Sequence, residues 1–524
     1  MMRINNPPLI ARFLAIATLL ILSFPARDCN AEEPTDIGSR RELFVDGSLV
    51  DRLTGKAELC LHHPVPHEIA IVHDAPWEGS GCGYHSIFKD GDRYRMYYKA
   101  WQLTVTPGKV NTGEHPLFCC YAESGDGVNW RKPELGLNEF KGSKANNIVI
   151  ASGKFDGVNA DAGHPAVFKD ENPAAPPDAR YKAILRSNGP KGLLAFKSPD
   201  GLHWSPMTNA PVITAGAFDS QNLAFWDGAR HEYRAYWRIF TAGTTDEKNW
   251  KPAGHRAIRT ATSKDFLTWD GQSDVRYLDS PSEHLYTNQV KPYDRAPHLL
   301  VGFPTRYIER GWSDSMRALP EREHREWRAG ASERYGVAIT EGLIMASRDG
   351  VNFKRWNEAF LRPGIERNGT WNYGQQYIAW HLVETKSQLE GAPDELSLYA
   401  TESYWTGNSS ALRRYSLRMD GFVSARAPMG GGELVTKALR FKGKRLAINF
   451  ATSAAGGVRI EIQDPKGQAL PGFGIEDCPV LFGDSIERTV IWKTGADVSP
   501  LAGQPVRLRF ALQDADVFAF QFVD

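Results

Sequence analysis

One short pattern occurs four times in this 524-residue chain and constrains its fold more than any other feature. Each copy has a serine, an aspartate two positions later and a final aromatic residue: Ser124–Trp130, Ser198–Trp204, Ser263–Trp269 and Ser347–Phe353. Aspartate and glycine suit tight turns, and the aromatic that follows can pack between sheets. The copies lie roughly 65 to 85 residues apart, so they predict hairpin corners in repeated β units with longer loops than short-blade propellers have.

A pair of strand-like runs precedes each corner, and a fifth pair follows the last corner. The pairs are His85–Phe88 with Tyr94–Lys99, Ala166–Lys169 with Tyr181–Arg186, Asn222–Trp226 with Glu232–Arg238, Thr287–Tyr293 with His298–Thr305, and Tyr373–Leu382 with Leu396–Glu402. Five inner-strand pairs predict a five-bladed β-propeller over residues 40–420. We expect Glu42–Val45 to supply an outer strand that closes the ring with the last blade. A row of stacked β-sandwich domains is the alternative, although the repeat is short for whole domains.

The sequence pattern changes after residue 420. Alternating runs at Val458–Ile462, Thr489–Trp492 and Val506–Leu512, separated by turn residues, predict a C-terminal β-sandwich over residues 425–524. The stretch from Trp312 to Glu333 is rich in arginine and glutamate, and we interpret it as a helix-like or looped insertion in blade four with a solvent-exposed charged face. The predicted fold class is all-β, with a five-bladed β-propeller followed by a C-terminal β-sandwich.

The N-terminus has the order of a secretory signal peptide. Arg3 and Arg12 precede an apolar run, Phe13–Phe24, and small residues end at Ala31. The run is shorter than the roughly 20 residues that span a bilayer, so we expect cleavage after residue 31 and a secreted or periplasmic protein with no membrane contact. A retained anchor is the alternative. The 62 basic residues balance the 62 acidic ones, which argues against a nucleic-acid partner.

These features together resemble the secreted five-bladed glycoside hydrolases. The corners, the Pro-Trp-Glu at residues 76–78, the five inner-strand pairs and the trailing sandwich are similar in layout to the invertase/fructosidase-like and arabinanase-like clan. The resemblance implies two aspartates and a glutamate from the first three blades as the catalytic groups. The chain lacks the Asn-Asp-Pro-Asn, Arg-Asp-Pro and Glu-Cys sequences of that clan. Hydrolysis requires no cofactor, and the sequence leaves a structural metal ion open.

Glycoside hydrolysis needs two carboxyl groups on either side of the scissile bond. One acidic residue lies just ahead of each inner strand: Glu78, Asp161, Asp219, Glu283 and Glu366. We predict that Asp219, Glu283, Asp161 and Glu78 form the catalytic set, with Asp219 as the strongest candidate. A strand-opening turn is the structural alternative for each of them. His164, three residues after Asp161, could orient a sugar hydroxyl or help to stabilise the transition state.

Basic residues recur where the returning strands end: Lys99, Arg186, Arg238 and Arg306. They predict a cationic funnel lining that pairs with carboxylate or sulfate on a sugar, whereas simple outward alternation of charge is the alternative. A further set consists of aromatic residues that could stack on sugar rings: Trp101, Trp237, Tyr286 and Trp371.

The predicted function is that of an exported glycoside hydrolase acting on a carbohydrate substrate, an oligo- or polysaccharide, with an anionic sugar as one option. A sixth inner strand, or a Tyr–Glu nucleophile pair with three converging arginines, would favour a sialidase-like enzyme. A noncatalytic carbohydrate-binding propeller would lack two carboxylates facing each other across the funnel. The oligomeric state stays open.

Overall fold

The computed structural model describes residues 33–524, and nearly all of its regular structure is β-strand, which confirms the predicted class. The predicted signal peptide, residues 1–31, lies outside the described residues. Within the described range the α-helices are α1 (Asp314–Ala318), α2 (Arg322–Ala331) and α3 (Glu333–Val337), and the 3₁₀ turns are Pro177–Ala179, Ile475–Asp477 and Ser499–Leu501. No helix in this range is long and apolar enough to cross a membrane.

Five mainly antiparallel sheets form the blades of the propeller. Blade one contains Gly83–Asp90, Arg93–Ala100, Phe118–Ser124, Trp130–Arg131 and Ile148–Ala151. Blade two contains Gly153–Phe155, Val158–Lys169, Tyr181–Ser187, Leu193–Ser198 and Ser205–Pro206. Blade three contains Leu223–Asp227, Glu232–Thr245, Trp250–Ser263 and Asp270–Asp274. Blade four contains Arg276–Tyr277, Lys291–Tyr293, Ala296–Gly302, Met345–Ser347 and Asn352–Arg355.

Blade five contains Val383–Thr385, Glu395–Glu402, Ala411–Arg418 and, as its outermost strand, the sequence-distant Val65–Val72. This strand closes the ring, whereas Glu42–Leu43 pairs with the C-terminal strand Arg507–Val523. The prediction that Glu42–Val45 closes the propeller was therefore wrong. Pro66 fits the outermost strand of the blade. Proline has no backbone N–H, so it cannot donate a hydrogen bond to a further strand, and no further strand of the described range pairs with this open edge.

The sandwich is built from both ends of the described chain. Its strands are Thr35–Gly38, Glu42–Leu43, Val50–Gly55, Glu58–Leu61, Val423–Ala427, Gly432–Thr436, Leu439–Phe441, Arg445–Gln463, Asp484–Thr489 and Arg507–Val523. The first four pair with C-terminal strands, so residues 35–61 join the sandwich and the predicted propeller start at residue 40 needs this correction. Pairing between segments hundreds of residues apart leaves no local sequence pattern from which it could be inferred.

Two short hairpins project from the ring. Thr104–Thr106 pairs with Lys109–Asn111 after blade one, and Thr305–Glu309 pairs with Ala338–Gly342 in blade four. The three helices lie between the two strands of the second hairpin, which confirms the predicted insertion. Its charged face is not wholly exposed, because Arg325 and Arg328 are buried.

The four serine–aspartate corners are structural, as their sequence predicts. At the first, the Ser124 hydroxyl accepts a hydrogen bond from the Gly127 amide at 2.9 Å, and Asp126 Oδ1 accepts two further backbone amides. The Trp130 indole then donates to the Gly127 carbonyl at 3.1 Å. The other three corners repeat the serine and aspartate bonds. These bonds satisfy the backbone groups of a turn that no neighbouring strand can reach.

Two buried glutamine amides join the inner ends of all five blades. Gln221 of the segment entering blade three donates through Nε2 to the carbonyls of Tyr84 (blade one) and Pro165 (blade two), both at 3.0 Å. Gln289, ahead of blade four, donates to Gln221 Oε1 at 2.8 Å and to the Ile378 carbonyl of the blade-five segment at 2.9 Å. These bonds hold the inner segments at fixed separations, and the segments also carry the residues of the funnel.

Candidate functional site

Three side chains from blades two and three form a hydrogen-bonded chain in the funnel. His164 Nδ1 lies 2.9 Å from Asp161 Oδ2, and His164 Nε2 lies 3.2 Å from Asp219 Oδ1. The strand Val158–Lys169 changes register with its partner between Asp161 and Ala166, which lets the backbone place both Asp161 and His164 at the site. Three predicted site residues are therefore brought together.

The three residues differ in what a ligand could reach. The side chains of Asp161 and His164 are buried, whereas that of Asp219 is 58% exposed. Asp161 Oδ1 also accepts the Gly163 amide at 2.8 Å. Asp219 is thus the carboxylate open to a substrate, and Asp161 acts on the site through His164.

Electrostatics hold both carboxylates ionised. The surrounding protein partly desolvates the Asp219 carboxylate and would raise its pKa, but the hydrogen bond from His164 and the charge of Arg238 outweigh this effect and hold the pKa well below its usual value. The pKa of Asp161 is lowered for the same kind of reason, since the charge of His164 and its hydrogen bond exceed the cost of burial. Burial would lower the pKa of His164, but the two carboxylates raise it. The two flanking carboxylates therefore favour the charged form of His164.

Four basic side chains surround the hydrogen-bonded series of Asp161, His164 and Asp219. Arg186 NH1 lies 3.4 Å from Asp161 Oδ2 and 3.9 Å from Asp219 Oδ1, so those two oxygens are no farther apart than the sum of these distances, about 7 Å. Arg238 NH2 lies 3.8 Å from Asp219 Oδ2. Lys99 and Arg256 complete the set.

Neither Lys99 nor Arg256 has a carboxylate within ion-pair distance among the described residues. Lys99 is buried with its ammonium 3.1 Å from the Tyr404 hydroxyl and 4.5 Å from the centre of the Tyr84 ring, and burial lowers its pKa. The guanidinium of Arg256 stacks over Tyr307 at 4.4 Å. The guanidiniums of Arg186, Arg238 and Arg256 alone outnumber the two carboxylates, so these groups make the funnel electropositive.

Aromatic side chains form the wall of the funnel. The set comprises Tyr84, Tyr286, Tyr307, Tyr373, Tyr377, Tyr404 and Trp405, with Trp101 packed against it. Tyr286 stacks on Tyr377 at 5.4 Å, and the Tyr373 hydroxyl donates to that of Tyr286 at 3.0 Å. Tyr84 and Trp405 have left-handed backbones, with φ of 52° and 60°. Bulky residues rarely adopt this conformation, and those that do are enriched at functional sites.

The other aromatic candidates lie elsewhere or have a structural role. Trp237 is fully buried, and its indole donates to the Ala215 carbonyl at 2.8 Å. Trp371 donates to the Gly364 carbonyl at 2.9 Å. Trp101 is partly exposed at the edge of the wall, where its ring lies 4.8 Å from the Lys99 ammonium. Of the predicted stacking residues, Tyr286 and Trp101 are the two that the structure places in the funnel wall.

The structure does not bring Glu78 together with Asp219. Its buried carboxylate accepts hydrogen bonds from the Tyr98 hydroxyl at 2.5 Å, the Lys132 ammonium at 2.6 Å and the Ala75 amide at 2.9 Å. Both oxygens are therefore used internally, and Glu78 joins the segment before blade one to the blade itself.

Glu283 and Arg306 belong to a separate ion-pair network. Arg306 Nε lies 2.8 Å from Glu283, its NH1 lies 2.8 Å from Glu341, and Arg355 NH2 lies 2.7 Å from Glu283. Successive side chains of a strand point to opposite faces, so Tyr307 joins the aromatic wall while Arg306 lies on the other face. The predicted equivalence of Arg306 with Arg186 and Arg238 therefore needs correction, because two carboxylates already neutralise it.

Sequence reasoning missed Tyr84, Arg256 and Trp405. Phe240 lies two residues beyond Arg238, and Arg256 pairs with it across the blade-three hairpin. Because side chains alternate along a strand, this position could have indicated that Arg256 lies on the same face as Arg238. Tyr84 and Trp405 depend on left-handed backbones, for which their sequences carry no signal. Within residues 33–524 no group of three or more His, Cys, Asp or Glu side chains is arranged to hold a metal ion.

Fold and site together define a five-bladed β-propeller protein with a C-terminal β-sandwich and an electropositive, aromatic-walled funnel. No family model and no curated protein matches the chain. Among solved structures it is similar to a thermostable family-43 glycoside hydrolase, with 13% identity, 68% of this chain and 96% of that chain covered, and a TM-score of 0.40.

Two other solved structures are similar to the same extent. The catalytic domain of a Coprinopsis cinerea GH62 alpha-L-arabinofuranosidase has 10% identity, coverage of 68% of this chain and 99% of that chain, and a TM-score of 0.40. An N-acetylgalactosamine deacetylase from F. plautii, in complex with blood group B trisaccharide, has 12% identity, coverage of 69% and 95%, and a TM-score of 0.41.

Proposed function

We propose that this chain is an exported glycoside hydrolase that acts on an anionic oligo- or polysaccharide. The observation that carries the proposal is the exposed, ionised carboxylate of Asp219 in a funnel with an excess of positive charge. The signal-peptide pattern of residues 1–31 supports export.

Asp219 is the group that would touch the reacting sugar. A carboxylate beside the anomeric carbon stabilises the positive charge that develops as the glycosidic bond breaks. The charged form of His164, which the two carboxylates favour, would donate from Nε2 to Asp219 Oδ1 and would supply a proton next to the reacting sugar. Asp161 fixes the orientation of the imidazole and favours its charged form.

The cations would select the charge of the substrate. A carboxylate or sulfate on the sugar would gain about 1.5–3 kcal/mol from each charge-assisted hydrogen bond to Arg186, Arg238 or Lys99. The Tyr286 ring is buried against Tyr377, and the Arg238 guanidinium lies over it at 5.2 Å, so this ring helps to position that cation.

A second reaction on the same substrate class is elimination at a uronic acid. Both funnel carboxylates are ionised, so neither is the protonated carboxyl group that hydrolysis commonly uses. In such an elimination the cations would neutralise the uronate carboxylate and the Asp219 carboxylate would take the C5 proton. The C4–O bond would break as a C4=C5 double bond forms, and the leaving oxygen would take a proton from the Tyr84 hydroxyl, whose ring lies 5.5 Å from His164. The sialidase-like alternative is disfavoured, because the ring has five blades.

A substrate screen tests the proposal and separates the two reactions. The purified mature protein is incubated with uronic-acid and sulfated polysaccharides and with carboxyl-reduced or desulfated forms of the same polymers. We expect new reducing ends from an anionic polymer and far fewer from its neutral form. Hydrolysis gives saturated ends that incorporate solvent oxygen, whereas elimination gives an unsaturated product that absorbs ultraviolet light. Equal cleavage of the anionic polymer and its neutral form would contradict selection by substrate charge. No cleavage of any polymer would contradict the proposed enzymatic activity.

A further inference from the structure

The outer part of the blade-three hairpin extends past the blade as an arm. Its strands, Glu232–Thr245 and Trp250–Ser263, are the longest pair in the propeller, and their inner halves are buried. Residues 241–244 and 253–254 are exposed. Because both faces of the arm meet solvent, it adds little to the core of the blade.

The arm borders a cavity of about 530 Å³ that reaches the candidate site. Its lining includes Arg186, Asn188, Lys191, Phe218, Asp219 and Trp250. This volume lies within the range of small-molecule sites, roughly 300–1,000 Å³. The cavity therefore joins the exposed carboxylate of Asp219 to the tip of the arm.

Trp250 presents an open aromatic face at the outer end of this cavity. It is 50% exposed, its ring meets the edge of Phe240 at 6.4 Å, and the Lys191 ammonium lies 5.6 Å from both the Trp250 and Phe218 rings. Phe240 and Lys191 thus support the indole from one side. Large aromatic side chains exposed on soluble proteins commonly mark binding sites.

Charge changes sign along the cavity. The inner end carries Arg186 beside Asp219, whereas the outer end carries Asp246 and Glu247 at the tip of the arm, with Lys191 between them. A second anionic group would be repelled at the tip. Carboxylates can instead accept hydrogen bonds from sugar hydroxyls, so the outer end suits an uncharged sugar.

The opposite side of the funnel is covered. The Gly108 amide of the Thr104–Asn111 hairpin donates to the Trp327 carbonyl of α2 at 3.1 Å, and a Cβ on Gly330 would lie 2.7 Å from the Gly108 Cα. Tyr335 of α3 packs edge-on against Trp405 of the wall at 4.8 Å. A bound chain would therefore leave the funnel on the blade-three side.

We propose that Trp250 forms a second sugar subsite, which binds an uncharged sugar linked to the anionic sugar held at Asp219. This inference rests on the proposed function and extends it to a substrate that alternates in charge. The apolar face of the sugar would stack on the indole, and its hydroxyls would meet Asn188, Asp246 and Glu247.

Calorimetry on the Asp219→Asn background, in which turnover is suppressed, tests the subsite. The probes are free glucuronic acid and a disaccharide of glucuronic acid linked to xylose. We expect the disaccharide to bind roughly tenfold more tightly than the monosaccharide. Trp250→Ala should remove that advantage and leave monosaccharide binding unchanged, while Trp250→Phe keeps part of it. Phe482→Ala, which removes another exposed aromatic ring, this one on the sandwich, is the control and should change nothing.

The outcomes separate the two proposals. If the monosaccharide binds but the disaccharide gains nothing, or if Trp250→Ala weakens both ligands equally, the subsite is refuted while the anion-binding funnel stands. If neither probe binds to either protein, the anionic-sugar function fails and the subsite fails with it.

Discussion

Replacing Asp161 by asparagine should lower the pKa of His164 and move the pH dependence of turnover. The substitution keeps the shape of the side chain but removes a buried charge 2.9 Å from His164 Nδ1. The pKa of His164 is raised because burial is outweighed by Asp161 and Asp219, so losing one carboxylate must bring it down. Below the new pKa the imidazolium persists, and above it the ring becomes neutral.

The size of the shift follows from the strength of the lost interaction. A hydrogen bond between charged groups contributes about 1.5–3 kcal/mol, and one pKa unit corresponds to about 1.36 kcal/mol. The His164 pKa should therefore fall by roughly one to two units. Histidine-labelled protein observed by ¹⁵N NMR measures this directly, with the His164 signals assigned from a His164→Gln variant. The alkaline limb of the kcat/KM profile should move to lower pH by the same amount.

Asp178→Asn is the matched control, because this exposed aspartate pairs with Lys197 away from the funnel. It should leave the His164 signals and the pH profile unchanged. An Asp161→Asn protein with an unaltered His164 pKa would refute the coupled chain of Asp161, His164 and Asp219.

Two further predictions concern carboxylates that we place in structural roles. Glu78→Gln should lower the free energy of unfolding by about 3 kcal/mol, because it leaves Lys132 without its buried partner. Urea denaturation followed by tryptophan fluorescence measures this change. Loss of turnover in a protein that is still folded would instead indicate a catalytic role for Glu78. Glu42 is buried, which would raise its pKa, but His298 and Arg348 lower that pKa to about 2. Its contribution to stability is present above about pH 4.5 and is lost as pH falls towards 2, so Glu42→Gln should flatten the acid side of the stability curve. An unchanged slope in thermal melts between these pH values would rule this out.

The parts of the fold that depend on local pattern could be predicted from the sequence. Serine–aspartate corners and alternating strand pairs encode their own turns and faces, so the five blades and the sandwich followed from them. The closing strand Val65–Val72 could not be identified, because two short N-terminal segments have similar patterns and their partners lie more than 300 residues away in sequence.

The candidate site likewise contains residues that the sequence pattern predicts and residues that it does not. The repeat predicts that Asp161, Asp219, Arg186 and Arg238 meet at the funnel, and the structure brings them together with His164. Asp161, His164 and Arg238 lie within long strands rather than at strand ends.

Glu283 and Arg306 share this spacing but face another network, because one step along a strand reverses the side chain. Tyr84 and Trp405 reach the funnel through left-handed backbone, which depends on tertiary packing rather than on sequence pattern.

The most direct test of the central claim is the turnover of Asp219→Asn beside that of the wild-type protein, on whichever anionic polysaccharide the screen identifies. Asparagine keeps the size of the side chain and removes the ionised oxygen, so kcat should fall by at least about 100-fold while the thermal midpoint stays close to that of the wild type. Asp92→Asn, which changes an exposed aspartate on blade one, should retain full activity. An Asp219→Asn protein with wild-type kcat would contradict the assignment of the funnel as the active site.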